Sequence, residues 1–140
     1  MKHSFLIIGI LSFVIFQSCE KENGSEELED NIQIISVSPS SGLVDGVDYD
    51  FTVTVDYNLA SVNSGLLMIG FNTEEVDRFK MISEASTIVD KGSGTHTFNV
   101  TTTAKDWLAA GDFKVYVNLS ENPHPSEWAP LSTDLEPLSF

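Results

Sequence analysis

The sequence predicts an all-β protein, an antiparallel β-sandwich of about seven strands. Short apolar runs are separated by turn residues throughout the chain, and no long segment shows helical spacing. Between Tyr49 and Tyr57 every second residue is apolar and the residues between are Asp or Thr. A period of two over such a length is typical of a strand with one face in the core and one in solvent. Several such strands joined by turns favour a two-sheet sandwich.

The first half of the chain supplies four of these segments. Ile32 to Val37 is apolar-rich and is followed by the turn residues Ser38 to Gly42, which predicts a first strand and its turn. The strand from Tyr49 to Tyr57 comes next. Gly65 to Phe71 is apolar on both faces, which predicts a central strand covered on both sides. Val76 to Ile82 fits both strand and helical spacing, and we expect an irregular strand or a short turn there.

The next segment predicts a pair of strands. Ser86 to Val89 and Thr95 to Thr102 are strand-like, and Lys91-Gly92-Ser93-Gly94 between them predicts a turn. In the second of these strands His96, Phe98 and Val100 share one face. Ala104 to Ala110 is expected to form one helical turn.

The last third predicts two further strands. Alternate apolar residues from Phe113 to Leu119 mark a core face. Pro123, Pro125 and Pro130 exclude a central strand and predict a loop. Leu131 to Leu138 is expected to be the last strand, and Pro137 favours an edge position.

Two stretches resemble a known domain family. Val89-Asp-Lys-Gly-Ser-Gly-Thr95 and Leu108-Ala-Ala-Gly-Asp-Phe-Lys-Val-Tyr-Val117 look like the penultimate strands of bacterial immunoglobulin-like domains, including the cell-adhesion-related kind of surface proteins. The resemblance extends from Ile32 to Phe140 as a strand rhythm and implies an immunoglobulin-like sandwich over residues 31–140. Phe113 stands where many such domains have a tyrosine that binds the backbone, and the absence of a Cys-Trp-Cys arrangement excludes an antibody-type domain.

The N-terminus has the layout of a secretory signal peptide. Lys2 and His3 precede an apolar run from Phe5 to Phe16, which is shorter than the about 20 residues of a spanning helix. Ser18-Cys19 resembles the lipobox of bacterial lipoproteins, which implies a signal peptide over residues 1–18 and lipidation (palmitate) of Cys19. Phe16 and Gln17 depart from the commonest form of that motif. Cleavage by the ordinary signal peptidase and an uncleaved anchor are the alternatives.

Residues 19–30 are predicted to form an acidic tether. Their composition cannot bury enough apolar surface to fold, and their like charges repel. An acidic stretch after a lipidated cysteine also resembles the surface-export signal of lipoproteins in glycan-harvesting Gram-negative bacteria. It implies an outer-membrane lipoprotein exposed at the cell surface, and the alternative is a soluble spacer.

Charge limits the classes of binding partner, and cysteine content limits how the fold can be stabilised. The net charge is −14, and from Asn31 onward fifteen Asp and Glu stand against five Lys and Arg. A negative field repels phosphate, so nucleic acid and direct adsorption to an anionic membrane are poor partners. The negative charge is also explained by solubility alone. Binding of Ca²⁺ or of basic partners is a further possibility. Cys19 is the only cysteine, so no disulfide within one chain can support the fold.

The sequence predicts no enzyme. After the signal peptide, the residues that zinc sites favour are Cys19, His96 and His124, which are too few for a zinc site. His96 also fits a packed position in its strand. There is no Gly-x-Ser-x-Gly elbow for nucleophilic catalysis. Paired carboxylates could serve a glycosidase, but without a cleft they specify nothing.

Two groups of residues are candidate binding sites. Asp45, Asp48 and Asp50 could hold Ca²⁺, the only cofactor considered, although their spacing does not match the helix-loop motif. Solvated turn carboxylates are the alternative. Trp107, Tyr116 and Trp128 could stack on a sugar, or the tryptophans could cover the ends of the core.

We therefore expect a non-catalytic, lipid-anchored surface protein that acts as a protein-interaction or adhesion module. The alternative is a glycan-binding accessory protein of a nutrient-uptake system. Exposed strand edges would favour the first hypothesis, and at least two co-exposed rings among the three aromatic candidates would favour the second. Fold analogy alone does not choose between them.

Overall fold

The computed structural model describes residues 29–75, 78–106, 113–127 and 129–140, with side chains at all of these positions except 72–75 and 78–84. These residues form antiparallel strands and no helix, which confirms the predicted all-β class. The strands are β1 (Asn31–Ser38), β2 (Asp48–Glu75), β3 (Arg78–Thr103), β4 (Lys114–Glu121) and β5 (Ser132–Pro137). This part of the chain contains no helix with the length and apolarity needed to cross a membrane.

The strands form one curled sheet in the order β1-β2-β4-β5, with β3 also paired to β2. The two halves of β2 have different neighbours. Residues 48–59 pair with residues 92–103 of β3, and residues 52–58 among them also pair with β1. Residues 64–75 pair with residues 78–90 of β3, and residues 65–72 among them also pair with β4. The long hairpin of β2 and β3 therefore runs through both parts of the sheet.

The predicted turn at Lys91 to Gly94 is wrong. β3 continues through it, and the segments on either side pair with β2 and not with each other. The register shift lies on β2 instead, where residues 60–63 stand between Leu59, paired with Gly92, and Ser64, paired with Asp90. Gly92 has a φ of +128°, and a Cβ on Gly94 would lie 2.7 Å from the Tyr57 hydroxyl oxygen. These glycines serve local backbone geometry and a close approach, not a chain reversal.

The core lies inside the curl. Phe51, in the first half of β2, packs against Phe71 in the second half with ring centroids 4.7 Å apart, and both pack against Phe113 at 6.2 and 5.8 Å. The predicted core faces of the strands from Tyr49 and from Phe113 are confirmed. The largest of the side chains that are buried to at least 98 % are those of Phe51, Val53, Val55, Leu59, Leu67, Ile69, Phe71, Phe113, Val115, Val117 and Leu119.

The segment from Gly65 to Phe71 is central, as predicted, since it pairs with both β3 and β4. Its two faces are unequally covered, however. Leu67 and Ile69 are fully buried, whereas Leu66 and Met68 are half-buried. The side chain of Ile88, opposite Leu66 on β3, is 62 % exposed, so the outer face is only partly covered.

The remaining predictions concern connections and the last strand. Val76 to Ile82 is predicted to be an irregular strand or a short turn, and residues 78–82 belong to β3. The register shift between the pairs Phe71–Ser83 and Asn72–Met81 leaves Ile82 outside the pairing, so this strand is irregular there. Residues 76 and 77 lie outside the described residues. Ala104 to Asp106 has no regular structure, and the rest of the predicted helical turn, residues 107–110, lies outside the described residues. The proline-rich segment is a loop and β5 ends the sheet, as predicted.

Candidate functional site

The two end strands β1 and β5 close on each other through side chains. The backbone N–H of Ile32 donates to Ser132 Oγ at 3.1 Å, and that of Ile34 donates to Asp134 Oδ2 at 2.8 Å. Asp134 pairs with the buried Val117 of β4, so its carboxylate lies on the inward face of the sheet. Inward charges and polar side chains that occupy edge donors are a known protection against strand addition. These two edges are therefore poor sites for an incoming strand.

One edge of β3 is open as far as the structure describes the chain. β3 pairs with β2 alone, so its other side carries backbone donors and acceptors with no strand beside them among the described residues. From Ala85 to Val89 this edge has neither a charge nor a proline. Ile88 points outward and is exposed, and Ala85 and Val89 are only half-buried against the core. An uncharged, partly apolar strand edge is the kind of surface to which another strand adds.

The outer face of the sheet beside this edge is a regular polar surface. Every second residue of β2 from Asp48 to Asn58 is hydrogen-bonded through its side chain to the residue opposite in β3, at 2.5 to 3.2 Å. The pairs are Asp48–Thr103, Asp50–Thr101, Thr52–Asn99, Thr54–Thr97, Asp56–Thr95 and Asn58–Ser93. Cross-strand pairs of this kind fix the register of β2 on β3.

The end of the predicted tether is attached to the domain. Asp30 Oδ1 accepts hydrogen bonds from the backbone N–H groups of Ala60 and Ser61, at 2.7 and 3.0 Å. Asn58 Nδ2 donates to the carbonyl oxygen of Glu29 at 2.7 Å. Residues 29 and 30 thus belong structurally with the domain, at the register shift of β2.

The charge of Asp30 is stabilised by these contacts. Partial burial opposes the charged form, but the hydrogen bonds from the Ser61 hydroxyl and from the two backbone amides, with Lys91 nearby, outweigh it. The pKa of the Asp30 carboxyl therefore lies below its ordinary value.

The three aspartates of the predicted calcium site each have a separate partner. Asp45 Oδ1 accepts from the backbone N–H of Asp106 at 3.0 Å, whereas the carboxylates of Asp48 and Asp50 belong to the cross-strand pairs above. Among the residues that the structure describes, no group of three or more His, Cys, Asp or Glu is placed to hold a metal ion. The hydrogen bonds agree with the alternative of turn and surface carboxylates, and calcium binding stays a prediction.

Of the three aromatic candidates only Tyr116 lies among the described residues. It is half-buried in β4, opposite Gly70 of β2 and Leu135 of β5. Trp107 and Trp128 lie outside the described residues, so their exposure beside Tyr116 stays untested. His96 is half-buried, and its ring meets Phe98 edge-on with centroids 4.5 Å apart, in keeping with a packed residue.

Cys19, the predicted lipidation site, and the signal peptide also lie outside the described residues.

Three features of this surface were not expected from the sequence. They are the pairing of Asp134 with β1, the attachment of Asp30 to β2 and the uninterrupted edge of β3. Aspartate in an edge strand is a recognisable signal, but which backbone amide it meets depends on pairing 100 residues away. Comparison with known proteins finds no family model and no curated protein that matches the chain.

Proposed function

We propose that this chain is a non-catalytic, lipid-anchored protein-interaction module at the bacterial cell surface, built on an immunoglobulin-like sandwich. The observation that carries the interaction role is the contrast between its strand edges. The edges of β1 and β5 are closed by Ser132 and Asp134. The edge of β3 has no strand beside it in the described part of the chain and is uncharged from Ala85 to Val89. Because an unprotected edge is an aggregation hazard, its retention is best explained by a partner that covers it.

The proposed sandwich requires that each of the two long strands, β2 and β3, contributes one half to each layer. Counting each half of β2 and of β3 separately gives seven strand segments, with β1, residues 48–59 and residues 92–103 in one layer. The second layer comprises residues 64–75, residues 78–90, β4 and β5. Contacts between Phe51 of the first layer and Phe71 of the second support this arrangement.

The attachment of Asp30 limits how far an anchored domain could lie from the membrane. Because Asp30 is hydrogen-bonded at the register shift of β2, only residues 20–28 would separate the domain from a lipidated Cys19. Such a segment spans about 32 Å at full extension. The domain would then act close to the membrane, with its open edge presented to other proteins of the same surface.

Anchoring is tested by producing the full chain and its Cys19→Ala variant in a Gram-negative host. We expect the parent chain in the outer-membrane fraction, labelled by a fatty-acid probe and cleaved by protease added to intact cells. The variant should carry no label and should leave the membrane fraction. An unlabelled parent chain that fractionates with soluble proteins would contradict the anchor.

The interaction role is tested by recovering the anchored chain from its native membrane and identifying both bound proteins and bound glycans. A defined protein that is lost when the β3 edge is altered would support the proposal. Recovered glycan, lost on Trp107→Ala or Trp128→Ala, would support the glycan-binding alternative instead.

A further inference from the structure

We propose that the β3 edge from Ala85 to Lys91 pairs with the same edge of a second copy of this chain, antiparallel and about a two-fold axis at Ile88. This inference rests on the proposed interaction role and names the partner. It extends the sheet through backbone hydrogen bonds, the mode by which extended strands add to open edges. The two-fold arrangement uses one patch on both copies, as a closed dimer requires.

Charge opposes a second copy less at this edge than over most of the chain. The chain carries a net charge of −14, so two copies repel each other across most approaches. Between Ala85 and Lys91 the charged residues are Asp90 and Lys91, whose charges cancel. The uncharged stretch from Ala85 to Val89 is therefore a place where two copies can approach with little repulsion.

The residues of this edge suit each other in the two-fold register. Ile88 would lie directly opposite Ile88 of the second copy, which covers a side chain that is 62 % exposed in the single chain. Ser86 would face Asp90, a pair that can hydrogen-bond, and Lys91 would face Ala85. Like charges that lie directly opposite each other destabilise an antiparallel pair of strands, and this register contains no such pair.

The inward side of the edge gains as well. Ala85 and Val89 are half-buried and pack at the border of the core. In the two-fold register, Thr87 of one copy would lie opposite Val89 of the other, so the added strand would cover part of the Val89 side chain. Pairing thus covers apolar surface on both faces of the edge, which a polar peptide would not do.

Disulfide trapping tests the register directly. Cβ atoms of directly opposite residues are about 4.5 to 5.5 Å apart, close to the about 3.5 to 4.5 Å of a disulfide. The full chain is compared in membranes as the parent, as Ile88→Cys and as Leu135→Cys, which changes a residue of similar exposure on β5. Under mild oxidation we expect a cross-linked dimer with Ile88→Cys, several-fold above both other chains. Ile88→Cys combined with Cys19→Ser is oxidised as the unanchored protein in solution, where it should cross-link and Leu135→Cys combined with Cys19→Ser should not.

Equal cross-linking of the two cysteine variants, or none with Ile88→Cys, would overturn the proposal. Sedimentation of the full chain in detergent gives a second test. The parent should sediment as a dimer and Ile88→Lys as a monomer with an unchanged circular dichroism spectrum, since Ile88 lies outside the core. A parent monomer, or a dimer that survives Ile88→Lys, would also overturn it. Either result leaves the membrane anchor and its Cys19→Ala test unaffected.

Discussion

The backbone N–H of Ile34 in β1 donates a hydrogen bond to the carboxylate of Asp134 in β5 at 2.8 Å, although the two strands are not paired in the sheet. One side chain thereby satisfies an edge donor that would otherwise face an incoming strand. The same carboxylate joins the first and last strands of the domain, so it contributes both to stability and to the choice of which edge stays open.

Asp134→Ala should lower the free energy of unfolding by about 1 to 2 kcal/mol, because the N–H of Ile34 loses its acceptor. Asp134→Asn keeps an acceptor oxygen and should cost less. Chemical denaturation measures both, with Glu136→Ala, an exposed carboxylate two residues along β5, as the control. A similar loss in the control would show that charge, and not the contact with Ile34, is responsible.

The stability contributed by Asp30 should depend on pH. Its pKa is lowered in the folded state, so its contribution is present in full above the unfolded value of 3.8 and is lost as the pH falls through the lower folded value. Asp30→Asn should therefore lower the free energy of unfolding by about 0.5 to 1 kcal/mol at pH 7, and the difference from the parent should shrink below about pH 4. Denaturation curves at several pH values measure this.

Asp45→Asn is a suitable comparison for Asp30, because Asp45 also accepts a hydrogen bond from a backbone amide, that of Asp106. It lies in the loop before β2. A difference between parent and Asp30→Asn that stays constant from pH 7 to pH 3 would show that the charged form of Asp30 has no special stabilisation.

Local patterning predicted most of the strand faces. The alternation from Tyr49 to Tyr57 and from Phe113 to Leu119 places Phe51 and Val117 in the core, because side-chain direction in a strand depends only on parity. The prediction of a turn at Lys91 to Gly94 was wrong because glycine occurs both where the chain reverses and where another group approaches the backbone closely. Only the packing of Tyr57 against Gly94 distinguishes the two.

Which strand edges are closed and which is open could not be predicted from the sequence, for a different reason. Whether an edge is open depends on which strands are neighbours, and this is set by contacts between residues far apart in the chain. Ser132 and Asp134 read as ordinary polar residues until β1 is placed beside them. Likewise, Ile88 is an ordinary strand residue in the sequence, and its position becomes informative only because β3 has one neighbouring strand among the described residues.

Gly94→Ala should destabilise the domain by about 1 to 3 kcal/mol, because the new methyl group would lie 2.7 Å from the Tyr57 hydroxyl oxygen. In a Tyr57→Leu background the ring is absent and the cost should fall. Gly92→Ala is the control, since Gly92 has a positive φ and no atom near the added Cβ. Its cost comes from backbone strain and should not change in the Tyr57→Leu background. A cost of Gly94→Ala that Tyr57→Leu does not relieve would contradict the close-approach explanation.

Ser120→Ala should stabilise the domain. The Ser120 side chain is fully buried in β4, and its Oγ has no hydrogen-bond partner within the part of the chain that the structure describes. A buried hydroxyl without a partner carries a desolvation cost, so its removal should raise the free energy of unfolding by about 1 kcal/mol. Ser86→Ala, on the exposed edge strand, should change it by less than about 0.5 kcal/mol. Denaturation of both variants under one condition measures the contrast. A loss of stability in Ser120→Ala would contradict this prediction and would show that the hydroxyl has a hydrogen-bond partner in solution.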